Sequence, residues 1–179
     1  ELENRIIGFN GHIYIQKIEK YFKYDFQDLE EIHEIKFIDP NITIQSLITS
    51  DYATKGILVK SIIPENIKHY TFINENVIAD NEFNDSGIIL GAALLDNIGA
   101  EIGSSIKLFS SNTISSPFGQ LPKSISLKIK GIFNSGMSEY NSSFAFISLK
   151  NAQKIIGLND KISVIEVHLK DLDLTDYVK

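Results

Sequence analysis

The chain has no cysteine and only four prolines in 179 residues. The first absence excludes a disulfide framework, a thiol nucleophile and a zinc–thiolate site. It leaves the compartment open, because a bacterial periplasmic domain can fold without disulfides. Basic residues are in the minority: 17 Lys and Arg stand against 23 Asp and Glu, a formal net charge of -6. A nucleic-acid backbone would be repelled, and no Lys/Arg stripe with interleaved aromatics offsets this. No apolar run approaches the roughly 18 residues that a membrane-spanning helix needs. There is no signal-peptide pattern and the first residue is Glu1, so the sequence reads as a piece of something longer.

Signatures of catalysis and metal binding are missing as well. His12, His33, His69 and His168 are scattered, with none paired at i,i+4 and none in an H-E-x-x-H pattern, so no metal site is expected. Gly136-Met137-Ser138 lacks the closing glycine of a G-x-S-x-G elbow, and neither G-x-G-x-x-G nor a Walker A loop occurs. Glu30/Glu31 and Asp171/Asp173 read as solvated faces rather than a glycosidase pair. No cofactor and no enzymatic activity are therefore expected. Asn-X-Ser/Thr at Asn41, Asn84 and Asn141 reads as chance in an Asn-rich chain.

What is present is a packable chain, 43% hydrophobic and 22% charged, long enough for one domain or two small subdomains. Period-two patterning predicts strands near residues 11–16, 42–46, 56–63, 88–90, 105–109, 124–133, 144–147 and 163–169. Helical spacing predicts helices near residues 26–35, 92–98 and 149–156. Asp25 would cap the first, and Ser148 and Gly157 would bracket the last. Pro40 is expected to end the first unit and Pro64 to close the 56–63 strand; residues 65–86 read mostly as loop. The class is α+β, with several strands, few helices and one long hairpin. Met137, Tyr140 and Phe144 have two readings, a surface that meets an acyl chain or core beneath the 135–143 loop; aromatics beside a strand favour core.

The stretch "SSPFGQLPKSISLKIKGIF" (residues 115–133) combines two behaviours. Its second half alternates, with Ile125, Leu127 and Ile129 on one face and Ser126, Lys128 and Lys130 on the other. Its first half sets Phe118 and Leu121 between Pro117 and Pro122, neither of which has an N–H for a ladder. Pro117-Phe118-Gly119 suits a turn with proline in its second position. Either the loop folds Phe118 and Leu121 back onto the core, or it projects them as anchors for a partner. A buried anchor of that size contributes about 1.5–3 kcal/mol, and prolines limit the freedom lost on binding. Periodicity alone favours the first reading.

Four segments in order carry a resemblance: "GILVKSIIPE" (56–65), "GIILGAALLDNIGAEIGSSIKL" (87–108), "SPFGQLPKSISLKIKGIFNSGMSEYNSSFAFISLKNAQKII" (116–156) and "ISVIEVHLKD" (162–171). Together they resemble the periplasmic domain of the LolC/LolE family, the permease subunits of the bacterial lipoprotein-releasing ABC transporter. The resemblance implies a MacB-like periplasmic domain on the outer face of the inner membrane, set between the first and second of four membrane spans. A porter-like α/β subdomain would come from residues 1–64 and 160–179, its C-terminal part cut short. A mostly β sabre subdomain, residues 65–159, would bear a protruding hairpin, the hook, at about residues 110–124.

Such transporters extract outer-membrane lipoproteins and pass them to the periplasmic chaperone LolA, while a separate ATPase, LolD, hydrolyses ATP. By resemblance, Ser116, Pro117, Phe118, Gly119, Gln120, Leu121 and Pro122 form the chaperone-binding hook, with Phe118 exposed. Gln120 stands where the family often has a basic residue, and "SGMSEYNSSF" resembles lineages in which one subunit type combines both permease roles. The implied partners are a LolA-like chaperone, lipoprotein cargo, a LolD-like ATPase and a second permease subunit; on the surface reading, Met137, Tyr140 and Phe144 would face the cargo. The alternative within the superfamily is a MacB-like efflux or mechanotransmission domain with no LolA contact.

Overall fold

Alternating apolar residues and short apolar runs become the strands of this fold. A computed structural model describes residues 11–24, 29, 31–70, 73, 83–116 and 119–171, with backbone only for 111–116 and 119–121. The elements in order are β1 (Ile13–Ile15), β2 (Ile35–Asn41), β3 (Thr43–Thr49), β4 (Thr54–Ile62), a 3-10 helix (Pro64–His69), β5 (Gly87–Gly91), α1 (Ala92–Asn97), β6 (Ser105–Ser116), β7 (Gly119–Phe133), α2 (Ser138–Ser143), β8 (Phe144–Ser148), α3 (Leu149–Ile156) and β9 (Val164–Leu169). They form a three-stranded sheet in the order β1-β9-β2 and a closed barrel in the order β3-β4-β8-β5-β7-β6.

The barrel closes around aliphatic side chains. β3 buries Ile44, Ser46 and Ile48 and exposes the residues between them. Ile57 and Val59, Ile106 and Leu108, and Leu127 and Ile129 complete the same interior from β4, β6 and β7, as a small barrel filled by side chains requires. β5 is buried along its whole length because β7 flanks it in parallel and β8 antiparallel. A Cβ on Gly91 would overlap the backbone of Asn141, so only glycine lets α2 pack against the end of β5. α3 is capped by Ser148, whose Oγ accepts from Asn151 N at 3.3 Å, and ends at Gly157 with φ 74°. A second cluster, Ile62, Tyr70, Ile73, Phe83, Ile89, Phe133 and Phe146, packs beside the first.

Several expectations are corrected. The helix over residues 26–35 does not reach its expected end: residues 33–34 form a turn and Ile35 opens β2. Pairing of β2 with β9 overrides local helical spacing there. Residues 25–28 and 30 lie outside the described residues. Pro40 ends nothing; it sits inside β2 opposite Ile165, on a sheet edge where proline is tolerated. Residues 65–86, expected to be mostly loop with short pieces of structure, do begin with a short 3-10 helix that has Pro64 in its first turn. Strand pairing places Thr43–Thr49 and Thr54–Ile62 in the barrel.

Candidate partner-binding site

The β6–β7 hairpin is longer and more regular than its prolines suggest. Its lower ladder runs from Ser105↔Lys128 to Phe109↔Ser124. After a register shift it resumes as Thr113↔Pro122, Ile114↔Leu121, Ser115↔Gln120 and Ser116↔Gly119. Two extra residues on β6 lie between the two parts, a bulge that bends and twists the strand. β3 pairs with β6 only from Ser110 back to Lys107, and β5 pairs with β7 only from Lys128 onward. Beyond Ser110 the two strands therefore pair only with each other, among the described residues, and leave the barrel as a two-stranded ribbon.

The ribbon brings Ser116, Gly119, Gln120, Leu121 and Pro122 together at its end. Pro117 and Phe118, which stand between Ser116 and Gly119 in the sequence, lie outside the described residues, and so does the expected exposure of Phe118. Pro122, expected to interrupt pairing, holds a ladder position and is exposed. A ribbon has a free edge on each strand, and a proline facing that edge sacrifices no ladder bond. At the root, Lys123 Nζ fills the space that a Cβ on Gly157 would need. The ammonium thus sits at the C-terminal end of α3, where the helix dipole favours a cation.

A groove of about 510 Å³ lies on the outer barrel wall beside this root, lined by Gln45, Leu47, Gly56, Leu58, Phe109 and Ser143 among others. Leu47 is flanked by Gly56 and Phe109 across the ladder and is 50% exposed. Nothing lies within 4 Å of a Cβ placed on Gly56, so the missing side chain is what opens the groove. No barrel strand contains an Asp or Glu, whereas Lys55, Lys107, Lys128 and Lys130 all lie on these strands and reach the surface. The chain is acidic overall, yet the barrel strands carry lysines and no carboxylate.

Met137, Tyr140 and Phe144 are half-buried. Tyr140 and Phe144 stack with ring centroids 4.7 Å apart and pack against the second cluster. The turn ahead of α2 is tied by Asn141 Oδ1, which accepts from Ser135 N and Ser135 Oγ, each at 2.9 Å.

Sequence reasoning missed a buried polar junction between the barrel and the three-stranded sheet. Lys60 on β4 and Glu166 on β9 are each 3% exposed, and Lys60 Nζ lies 2.8 Å from Glu166 Oε2. The same oxygen accepts from Gly11 N at 2.9 Å. Asp39, opposite Glu166 in the β2–β9 ladder, accepts from Tyr70 OH at 2.6 Å and Asn66 Nδ2 at 3.2 Å. Phe37 is stacked between His168 at 4.0 Å and His69 at 4.6 Å. Burial pushes the Asp39 carboxyl up to about 6 against the pull of Tyr70, Lys60 and Asn66. Burial, then Lys60 and His12, hold His168 down to about 3. His168 Nε2 is buried without a hydrogen-bond partner. Lys60 inside the apolar run "ILVKSII" was the available signal: a lysine at that position needs a buried partner.

Among the described residues, no helix is long and apolar enough to cross a membrane, and no group of three or more His, Cys, Asp or Glu could hold a metal ion.

No protein-family model matches the chain. In sequence it is similar to the lipoprotein-releasing system transmembrane protein LolC of Neisseria meningitidis serogroup B, 22% identical over 137 residues that cover 74% of this chain and 33% of that protein. LolC of Xylella fastidiosa (strain Temecula1) is 28% identical over 86 residues, 48% of this chain and 21% of that protein. The chain thus spans a third or less of the length of these relatives. In structure it is similar to the extracellular domain of the noncanonic ABC-type transporter YknZ from Gram-positive bacteria, with TM-score 0.58 and 13% identity over 92% of this chain and 85% of that one. It is also similar to the periplasmic region of MacB from Actinobacillus actinomycetemcomitans, with TM-score 0.54 and 10% identity over 89% and 67%. The fold is that of MacB-like periplasmic domains, and the sequence likeness is to LolC.

Proposed function

We propose that the chain is the periplasmic domain of an inner-membrane ABC transporter permease of the lipoprotein-releasing kind, and that residues 116–122 recruit a LolA-like chaperone that receives the lipoprotein. The observation that carries this reading is the ribbon: its strands leave the barrel at the place in the sequence where the resemblance puts the hook. Ladder pairing as far as Ser116↔Gly119 leaves those residues with little freedom to lose on binding. The three-stranded sheet would be the core of the porter-like subdomain and the barrel that of the sabre. ATP hydrolysis would belong to a separate LolD-like subunit, and a second permease subunit would complete the transporter.

Pull-down of the cognate chaperone by the wild-type chain, Phe118→Ala and Pro117→Ala tests the assignment. Loss of capture is expected for Phe118→Ala and weakening for Pro117→Ala; unchanged capture by both would sink it. The second reading, a MacB-like efflux or mechanotransmission domain, draws on the fold likeness to MacB and YknZ. A nucleotide-binding domain on the same polypeptide would favour it.

A further inference from the structure

We infer that the buried Lys60–Glu166 pair is a pin that fixes the three-stranded sheet to the barrel, so that the two move as one body. This goes beyond the proposed function, because it holds whatever the ribbon binds.

The covalent joints alone do not fix that relation. β2 passes into β3 through the single residue Ile42, and α3 passes into β9 through residues 157–163. A one-residue joint between strands of two different sheets is a pivot unless something beyond it is held.

Ile165, Val167 and Leu169 of β9 share one apolar core with the barrel, and Ile42 is bonded to Ser61 of β4 through both its N–H and its C=O; the directional polar contacts beyond the joint come from β4 and the 3-10 helix after it. β4 grips the central strand of the small sheet through Lys60 Nζ and Glu166 Oε2. The following segment grips the neighbouring strand β2 through Asn66 Nδ2 on Ile38 O at 2.9 Å and Tyr70 OH on Asp39. Gly11 completes the arrangement from the third direction, ahead of β1. A Cβ there would overlap Glu166 Cβ, so the backbone at Gly11 lies flat on the Glu166 side chain. Glu166 is thus where β9, β4 and the segment entering β1 meet. Residue 171, just past β9, also leaves from this sheet. A displacement reaching the sheet along either end of the described chain passes to the barrel and its ribbon through this contact.

The choice of an ion pair matters physically. Two apolar residues of similar volume would seal the same space at equal or better stability. They would not fix register, because apolar contact is non-directional. A charge-assisted bond is short and directional. The pin therefore predicts that stability and rigidity can be separated.

The chain has no cysteine, so paired cysteine substitutions give unique spin-label sites. A Lys36→Cys/Lys107→Cys pair, on β2 and β6, reports sheet against barrel. A Gln45→Cys/Lys128→Cys pair, on β3 and β7, reports the barrel alone. In each background the distance distribution is measured together with the thermal midpoint. Lys60→Met and Glu166→Gln should at least double the width of the sheet–barrel distribution and leave the barrel distribution unchanged. The double variant Lys60→Met/Glu166→Leu should recover a midpoint near wild type yet keep the broad distribution. A narrow sheet–barrel distribution in Glu166→Gln or in the double variant would overturn the inference. So would broadening of the barrel pair in every variant, since the pair would then be holding the barrel itself together.

Discussion

The barrel and the junction beside it solve the same packing problem with opposite chemistry. Six strands close around aliphatic side chains, and none of those strands contains a carboxylate. Where β4 turns outward to meet the small sheet, Lys60, Glu166, Asp39 and His168 are all buried within a few residues of one another in the two ladders. Aliphatic packing tolerates change in proportion to volume. A buried charge tolerates loss of its partner badly, because desolvation is then uncompensated. The barrel should therefore respond gradually to substitution and the junction abruptly.

The largest expected effect follows directly. Lys60→Met leaves Glu166 charged and buried and should destabilise the chain by about 3–5 kcal/mol. Ile88→Val, at a fully buried barrel position, should cost about 0.5–1.5 kcal/mol. Denaturant unfolding of the two variants compares them; equal losses would dissolve the distinction between the regions.

Next comes pH. His168 is held down to about 3 inside the fold, so it stays neutral while the unfolded chain takes up a proton below its ordinary 6.5. Its contribution is lost as pH falls from about 6.5 towards 3. Asp39 has the opposite sign: raised from 3.8 to about 6, it holds a proton in the fold that the unfolded chain releases, so stability is gained as pH falls from about 6 to 4. The two oppose each other over the window they share. His168→Phe should therefore make the thermal midpoint rise, relative to wild type, as pH drops from about 6.5 to 4. Asp39→Asn should steepen the acid loss, and Ile88→Val should leave the profile's shape unchanged.

A smaller effect separates backbone fit from charge within the barrel's own surroundings. Gly91→Ala forces apart the β5 end and the Asn141 backbone and should cost about 1–3 kcal/mol by overpacking. Lys123→Ala, which removes the ammonium from the end of α3, should cost only about 0.3–1 kcal/mol, and less as salt is added. Thermal melts at low and high ionic strength distinguish the two.

Much of the barrel is legible in the sequence because half-buried strands alternate: Ile125, Leu127 and Ile129 lie on one face of β7 as their spacing predicts, with Leu127 and Ile129 fully buried. The capping of α3 by Ser148 and Gly157 is equally local. Closure is not legible, since the parallel pairing of β4 with β8 joins residues more than eighty positions apart. β2 is not legible because Pro40 reads as the end of a unit, whereas β9 pairs with Ile35–Asn41 and leaves Pro40 on a sheet edge. At the ribbon, Pro122 announced a break in pairing that the free edge made unnecessary. At the junction, alternation in "VIEVHL" suggests a wet face for Glu166 and His168, yet all six residues are buried, because Lys60 and Tyr70 arrive from elsewhere in the chain.

The central claim is that the ribbon tip binds a partner. Its most direct test is the affinity of the cognate LolA-like chaperone for the wild-type chain and for Phe118→Ala, measured by titration calorimetry. Removing a buried apolar anchor worth about 1.5–3 kcal/mol should weaken binding by roughly 10- to 100-fold with the thermal midpoint unchanged. Equal affinity for the two proteins would contradict the account.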